Sequence, residues 1–272
     1  MRLLAVISCY IFVQVNATIM VKFYLSVIIL GCSLLFSHLA LGQTQKETQF
    51  ISIFNGRNLD GWDGDTAYWR VEDSALTGEV KPKNLLQHNS FIIWRGGMPA
   101  DFELKGQFKI SAQGNSGINY RSEELKNIPY ALRGYQADID GQNWYTGQNY
   151  EERKRTTLAF IGQKTTVYTC MEQFSLEALH KLVRNNAWTC VTPTASLGSA
   201  ASLTASLLPD QWHNFHLIVR GNRILHYING KLMSDVTDND TVNSSSQGFI
   251  GMQVHVGPAM KVQFKQLLLK MY

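Results

Sequence analysis

The chain has 272 residues, of which 45% are hydrophobic and 17% are charged, and its formal net charge is +4. This length allows one large domain or two smaller ones, and the apolar fraction is ample for a buried core. The positive charges are few and spread along the chain, which gives no basis for nucleic-acid binding.

Residues 1–42 have the layout of a secretory signal. From Met20 the chain reads MVKFYLSVIILGCSLLFSHLALGQ, with one lysine, a long apolar run and small residues before a mature start near Gln43. A single signal does not need the second apolar stretch at residues 1–19, which points to Met20 as the true start. We therefore predict a periplasmic or secreted protein with no stable membrane span in the mature chain.

Two alternatives for this N-terminus stay open. The two apolar stretches could instead be a pair of membrane helices, whose only charges would be Arg2 and Lys22. The other alternative is a lipoprotein acylated at Cys32, although the residues after Cys32 are apolar where a lipoprotein tether is usually polar. Cleavage after Gly42 would remove both cations and no acid, so the net charge would fall from +4 to +2.

The mature chain would keep two of the four cysteines, Cys170 and Cys190. In an oxidising compartment the expected fate of such a pair is one disulfide. It would close a loop of about 21 residues and stabilise the fold by roughly 3 kcal/mol. A metal site is disfavoured because no second cysteine pair lies at a usable spacing.

After a polar lead at residues 43–49, residues 50–272 have the rhythm of a single β-sandwich domain. Short apolar segments alternate with Asn-Gly and Asp-Gly turns, among them Asn229-Gly230, which predicts a dozen or more strands. A turn at 113–115 is predicted to join two of them in a hairpin. The predicted strands are Tyr68–Val71, Ala75–Leu76, Ser90–Trp94, Phe102–Ile110, Gly117–Arg121, Arg133–Asp140, Trp212–Arg220, Arg223–Ile228, Lys231–Val236 and two closing strands within 248–258 and 260–272.

The segment RGYQADID, from Arg133 to Asp140, is the strand around which the candidate chemistry is organised. Its period-two alternation turns Tyr, Ala and Ile to one face, which can enter a core. The opposite face presents one amide and two carboxylates, Gln136, Asp138 and Asp140.

Residues 165–208 are predicted to be an insertion in the domain. Within them, MEQFSLEALHKLVRNNAW at 171–188 has apolar residues at helical spacing, which predicts one short helix. A tract of small residues follows at 192–208. A surface insertion is the simpler interpretation, and a lid over a binding face is the other.

Polar faces on several strands carry the candidate site. The inner faces of a two-layer sandwich must be apolar, so these polar faces look outward. A solvated surface is the simpler interpretation of any single one, but here amides and charges are combined with aromatic residues. Stacking surfaces beside paired donors and acceptors are what a carbohydrate site requires. The candidates are Asn119, Arg121, Gln136, Asp138, Trp144, Tyr145, Glu152, Arg155, Gln253 and His255.

Seven motifs occur in order along the chain, namely FNGRNLDGW (54–62), WRVEDSALTG (69–78), GNSGINYRS (114–122), GYQADID (134–140), YEERKR (150–155), GNRILHYINGK (221–231) and GMQVHVGPAMKVQFKQLLLK (251–270). Together they resemble the 3-keto-disaccharide hydrolase domain family, formerly a domain of unknown function. The resemblance runs from about Phe50 to the C-terminus. It implies an all-β, concanavalin-A-like jelly-roll sandwich of two antiparallel sheets, in which the short helix is an insertion, with a sugar site on the concave face.

The resemblance also implies a carbohydrate substrate, a glycoside or disaccharide oxidised to a ketone at C3. The ketone acidifies the C2 proton, so a base can remove it; the enediolate then expels the C1 substituent, and water adds. Asp138 and Glu152 are expected as base, acid or ligand, and His255 as base or ligand. Arg121 is expected to contact the oxyanion. The residues expected to bind the sugar are Asn119, Gln136, Trp144, Tyr145, Arg155 and Gln253.

A divalent metal held by Asp138, Glu152 and His255 is an option, because a Lewis acid would stabilise an enediolate. No tight ligand motif accompanies it, so no cofactor is assigned beyond this option. Two other functions stay open. An ordinary glycosidase would use Asp138 and Glu152 as its carboxylate pair. A non-catalytic module would only stack sugar on Trp144 and Tyr145.

Overall fold

The computed structural model describes residues 49–170 and 190–272, and the isolated positions 175, 177, 178, 181, 182, 185 and 188. The predicted signal segment therefore lies outside the described residues. No helix in the described part of the chain is long and apolar enough to cross a membrane. The strands are β1 (Ile51–Ser52), β2 (Trp62–Asp63), β3 (Trp69–Glu72), β4 (Ala75–Val80), β5 (Ser90–Trp94), β6 (Phe102–Ile110), β7 (Asn115–Glu124), β8 (Leu132–Asp140), β9 (Asn149–Glu152), β10 (Thr156–Ala159), β11 (Gln163–Tyr168), β12 (Val191–Ser196), β13 (His213–Arg220), β14 (Arg223–Ile228), β15 (Lys231–Asn239), β16 (Phe249–Val254) and β17 (Met260–Met271).

The strands form two sheets. The larger has ten strands in the order β12-β11-β15-β14-β13-β6-β17-β4-β3, with β1 paired to β17, and the smaller has seven in the order β10-β9-β8-β7-β16-β5-β2. All pairings between the named strands are antiparallel except that of β11 with β15, which is parallel. The predicted fold class is confirmed: the chain forms an all-β jelly-roll sandwich.

The core lies between the two sheets. Side chains along β6 alternate between buried and half-buried, as expected for a strand with one face in a core. Phe102 of β6 packs edge-on against Tyr120 of β7, with ring centroids 5.9 Å apart, and Tyr120 stacks on Tyr135 of β8 at 5.7 Å. The even-numbered side chains of β8, including Asp138, therefore point away from the core.

One turn prediction is confirmed and one is wrong. Asn229 and Gly230 join β14 to β15, and both have positive φ angles, 48° and 79°, as a type I′ hairpin turn requires. The predicted hairpin at 113–115 does not form. That turn carries the chain from β6 in the larger sheet to β7 in the smaller sheet. Turn residues specify a reversal of the chain direction, but they do not determine which sheet the next strand joins.

The predicted insertion adds edge structure to the larger sheet. β11 and β12 pair at its border, and a helix α1 (Ala200–Thr204) follows, with the Ser199 hydroxyl accepting the Ser202 backbone N–H at its start. The described positions 177–178 and 181–182 are helical and positions 175, 185 and 188 are not; the other positions of the predicted 171–188 helix lie outside the described residues. Cys170 and Cys190 form the predicted disulfide, with their Cα atoms 5.5 Å apart.

Candidate functional site

A loop at residues 141–148, between β8 and β9, forms one wall of the candidate site. The Asp140 carboxylate accepts the backbone N–H groups of Trp144, Tyr145 and Thr146 at 3.0, 2.9 and 2.9 Å. Asp140 therefore organises the loop that carries the two aromatic residues. Its role here is to hold backbone in place.

Two side chains of the larger sheet hold the same loop by hydrogen bonds to its backbone. His226 on β14 donates from Nδ1 to the Gln148 carbonyl at 3.2 Å, and Ser234 on β15 donates to the Gly147 carbonyl at 2.9 Å. Gly147 has a φ of 93°, and a Cβ there would lie 2.5 Å from the Cβ of Met233. A glycine is therefore required for the loop to lie this close to β15.

A cavity of about 390 Å³ opens on the outer face of the smaller sheet, beside this loop. Three strands (β7, β8 and β9) and four loop or turn segments contribute to it, so residues far apart in sequence share one concave surface. Its lining residues are Asn89, Asn115, Gln136, Asp138, Tyr145, Gln148, Tyr150, Glu152, Arg153 and His255. Amides, two carboxylates, one guanidinium, one imidazole and two tyrosine rings line it, so polar groups and apolar ring surface share the site.

Asp138 lies in this cavity with both carboxylate oxygens engaged. Gln136 donates to Oδ1 at 2.6 Å and Gln148 donates to Oδ2 at 2.5 Å. Burial raises the pKa of Asp138 to about 7; the two amide donors oppose this, and the charges of Glu152 and Asp140 add to it. A carboxyl group with such a pKa exchanges protons near neutral pH, which is what acid–base catalysis needs.

Glu152 is the second carboxylate of the cavity. Asn89, just before β5, donates to its Oε1 at 3.0 Å and accepts the Val256 backbone N–H through its own Oδ1 at 2.9 Å. Burial raises the pKa of Glu152, opposed by the Asn89 hydrogen bond and the Arg153 charge. The Arg153 Nε is 3.5 Å from the same Oε1. Glu152 thus favours its protonated form more than an exposed glutamate does.

His255 follows β16 and lines the opposite side of the cavity. Its Nδ1 is 2.5 Å from the Val256 carbonyl oxygen. A carbonyl can only accept, so Nδ1 carries the hydrogen and Nε2 is the acceptor nitrogen of the neutral ring. Burial lowers the pKa of His255 below its ordinary value, which keeps the ring neutral near pH 7.

A chain of amides fixes the orientation of Gln136. Gln253 on β16 donates from Nε2 to the Gln136 Oε1 at 3.1 Å, so the Gln136 NH₂ group turns to Asp138. Gly117 makes room for this side chain, because a Cβ there would lie 2.4 Å from the Gln136 amide carbon. Gln253 is fully buried and does not line the cavity. It therefore acts on the site through Gln136, whereas the sequence predicted a direct contact with sugar.

The family model of a 3-keto-alpha-glucoside-1,2-lyase-like domain matches residues 49–270 of the chain. The chain belongs to this family. No curated protein matches it.

Several solved structures resemble this member of the family. A Parabacteroides distasonis ATCC 8503 protein predicted to be a glycosyl hydrolase is 17% identical, covers 82% of this chain and 94% of its own, and superposes with a TM-score of 0.50. A carbohydrate-binding module from Bacillus subtilis is 15% identical, covers 80% of this chain and 99% of its own, and has a TM-score of 0.48. A β-glucanase from Bacillus licheniformis is 12% identical, covers 84% of this chain and 100% of its own, and has a TM-score of 0.47. At 17% identity the Parabacteroides likeness shows a shared fold and nothing more.

The structure does not bring Arg121 into the cavity, which departs from the sequence prediction. The register of β7 against β8 shifts between Tyr120 and Glu123, and Arg121 has a positive φ of 45°. This bulge interrupts the alternation and turns the side chain out of the row that contains Asn119. Its guanidinium instead binds the carbonyls of Ala100 and Gly221 and the Asp101 carboxylate. Arg121 therefore ties loops together at another edge of the domain.

Arg155 is likewise absent from the cavity, although the sequence predicted a sugar contact. It is 1% exposed and lies between the sheets, where it pairs with Glu151 and with Asp238 at 2.7 Å. Glu151 and Glu152 are neighbours on β9, so they point to opposite faces. Glu151 faces inward to Arg155, and Glu152 faces outward to the cavity.

Two further candidates differ in position from the expectation. Asn119 is fully buried, donates to Ser122 at 3.3 Å and does not line the cavity. Trp144 is 68% exposed and stands beside Tyr145, with ring centroids 6.4 Å apart. Tyr145 lines the cavity and Trp144 extends the aromatic surface beyond it.

Five lining residues were not among the site residues predicted from the sequence: Asn89, Asn115, Gln148, Tyr150 and Arg153. Arg153 was visible within the EERKR motif, but strand alternation does not continue through the turn that starts there. Its φ of 58° places it in that turn. Asn89 precedes an apolar strand and carries no sequence signal of its own. Arg153 supplies the cavity with the guanidinium that the sequence had assigned to Arg121.

A metal at Asp138, Glu152 and His255 gains no support from the geometry. All three residues line the cavity, yet within the described residues no three His, Cys, Asp or Glu side chains are gathered closely enough to hold one ion. The chemistry below is therefore derived from the side chains alone.

Proposed function

We propose that this protein cleaves glycosides whose sugar carries a ketone at C3. Membership of the 3-keto-alpha-glucoside-1,2-lyase-like family supports a substrate of this class. The observation that carries the proposal is Asp138, a buried carboxylate with a pKa of about 7 in a polar cavity. Such a group is matched to removing a proton that an adjacent ketone has made acidic.

The proposed reaction starts at C2 of the oxidised sugar. Asp138 takes the C2 proton, and the electrons of that C–H bond form the C2=C3 double bond of an enediolate. When the C3 carbonyl reforms, the electron pair moves to make a C1=C2 bond and the C1–O bond breaks. The departing oxygen takes a proton, and water then adds across C1=C2 to give the free 3-keto sugar.

Five other residues have roles in this scheme. Glu152, whose pKa burial raises, holds the proton that the leaving oxygen takes. Arg153 stabilises the negative oxygen of the enediolate, as a fixed cation beside developing charge does. His255, neutral and with Nε2 as acceptor, accepts a hydrogen bond from a sugar hydroxyl. Tyr145 and Trp144 offer surfaces on which the sugar rings stack.

The test is to incubate the purified protein with a plain α-glucoside and with its 3-keto derivative, and to measure the released alcohol. Cleavage of the 3-keto compound alone is the expected result. Two carboxylates in one cavity also suit an ordinary glycosidase, and cleavage of the plain glucoside would establish that function instead. Binding of sugar without cleavage of either compound would show a binding module.

Activity is expected to fall as the pH drops through about 7, because Asp138 must be ionised to accept a proton and burial raises its pKa to about 7. The measurement is kcat/KM for the 3-keto substrate between about pH 5 and 9. Gln136→Leu removes a donor that lowers this pKa, so the acidic limb should move to higher pH. A profile that is flat through pH 7 would contradict the assignment of Asp138.

We further propose that the protein acts outside the cytoplasm, in the periplasm or after secretion. The disulfide between Cys170 and Cys190 supports this, because disulfides persist in oxidising compartments. Cell fractionation tests the proposal. Recovery of the chain, with its signal segment intact, from the cytoplasm would contradict it.

A further inference from the structure

Four lysines lie on the outer face of β6 and β17, the two adjacent central strands of the larger sheet; we call this surface the lysine face. Their ammonium groups rest over aromatic rings, and none forms an ion pair with a carboxylate of the described residues. The contacts are Lys105 over Phe50 at 4.4 Å, Lys109 over Trp212 at 5.0 Å, Lys265 over Trp212 at 3.9 Å and Lys270 over Tyr272 at 4.9 Å.

The carboxylate that shares this face is already occupied. Glu103 accepts from the Tyr272 hydroxyl, lies 2.8 Å from His216 Nε2 and lies 3.6 Å from Arg220. A fifth lysine on the outer face of β17, Lys261, is already paired with Glu72 of β3. The lysine face is therefore a positive surface: no carboxylate of the described residues forms an ion pair with its four ammonium groups, although the charge of Lys105 helps to lower the pKa of Glu103.

The lysine face and the candidate site point in opposite directions. Phe102, an inward residue of β6, packs against Tyr120 of the smaller sheet, so Lys105 and the other outward residues of β6 face away from that sheet. Asp138 faces outward from the smaller sheet. A large partner on the lysine face would leave the cavity open.

The described chain begins beside this face. Phe50 lies beneath Lys105 and precedes β1, which pairs with β17. In the sequence, the apolar segment 20–42 is separated from Phe50 only by residues 43–49. Seven residues span at most about 25 Å when extended. The start of the described chain is therefore part of the lysine face, seven residues after an apolar segment of the sequence.

We propose that the lysine face docks on an anionic lipid surface. Lysines on long flexible stems attract anionic headgroups additively, and the attraction decays within a Debye length, so it is sensitive to salt. The lysine stems and the partly exposed Leu268 beside Lys105 supply apolar contact at the same surface. Docking in this orientation directs the cavity away from the lipid.

The test uses residues 43–272, which include the whole compact unit Thr48–Tyr272 and omit the apolar segment. Sedimentation is measured with vesicles of phosphatidylcholine, alone or with about one-third phosphatidylglycerol. We expect binding to the anionic vesicles only, and release by salt. Replacing all four lysines by Gln (Lys105→Gln, Lys109→Gln, Lys265→Gln, Lys270→Gln) should weaken binding at least about tenfold.

A matched variant removes four cations outside this face: Arg57→Gln, Lys83→Gln, Lys126→Gln and Lys231→Gln. It has the same net charge as the test variant and should keep nearly all of the binding. Thermal unfolding of both variants establishes that they are folded. Absence of binding to anionic vesicles, equal loss in the two variants, or tighter salt-sensitive binding to a soluble acidic polysaccharide than to vesicles would each overturn the proposal.

Discussion

Replacing Asp138 by Asn is expected to lower kcat for a 3-keto glucoside at least about a hundredfold, because the amide cannot accept the C2 proton. The fold should survive, since Asn fills the same volume beside Gln136 and Gln148. The raised pKa of Asp138 gives a second readout. Protonated Asp138 stabilises the fold at pH values below its ordinary pKa of 3.8, and this stabilisation is lost as the pH rises through about 7. The Asn variant should therefore gain stability relative to the native protein over that range.

Asp73→Asn is the matched control for this experiment. Asp73 lies in the exposed turn between β3 and β4 and has a positive φ of 51° that Asn tolerates. The same chemical change there should leave both turnover and the melting temperature unchanged. Full activity of the Asp138 variant, or a collapse of its melting temperature with unchanged activity per folded molecule, would show that Asp138 is structural.

Replacing Arg155 by Met is expected to lower the free energy of unfolding by about 3–5 kcal/mol, since it leaves buried carboxylates without their cation. The Arg155 guanidinium contacts Glu151 through two nitrogens, Asp238 at 3.0 and 2.7 Å, Asp240 at 3.3 Å and the Tyr135 hydroxyl at 3.2 Å. Denaturant unfolding measures the loss. The KM of the protein that remains folded should not change, because Arg155 does not line the cavity.

Arg153→Met, two residues away in sequence, is expected to have the opposite effect to Arg155→Met. Arg153 is exposed and lines the cavity, so its loss should lower turnover of the 3-keto glucoside by about tenfold to a hundredfold and change stability little. Together the two variants separate the buried ion cluster from the site. An Arg155 variant with a normal melting temperature and a raised KM would place that residue on the sugar instead.

The positions of β3 to β8 and of β13 to β17 were predictable from the sequence, whereas those of β1, β2 and β9 to β12 were not. The predicted bounds of β5, β6 and β14 match the structure, because in each the alternation or the apolar run ends at clear turn residues. The polar face of β8 was also predictable, since period two carries through Gln136 and Asp138 without interruption. The partnering of strands was not predictable, as the chain leaving β6 for the other sheet shows.

The sequence by itself determined the β-sandwich class, the family and the outward orientation of Asp138 and His255. These depend on local alternation and on motifs, which the chain carries residue by residue. Tertiary structure decided which of these outward residues meet. The bulge at Arg121, the burial of Arg155 and the arrival of Asn89 beside Glu152 depend on register between strands distant in sequence. Pairing energies between whole strands set that register, so no local pattern contains it.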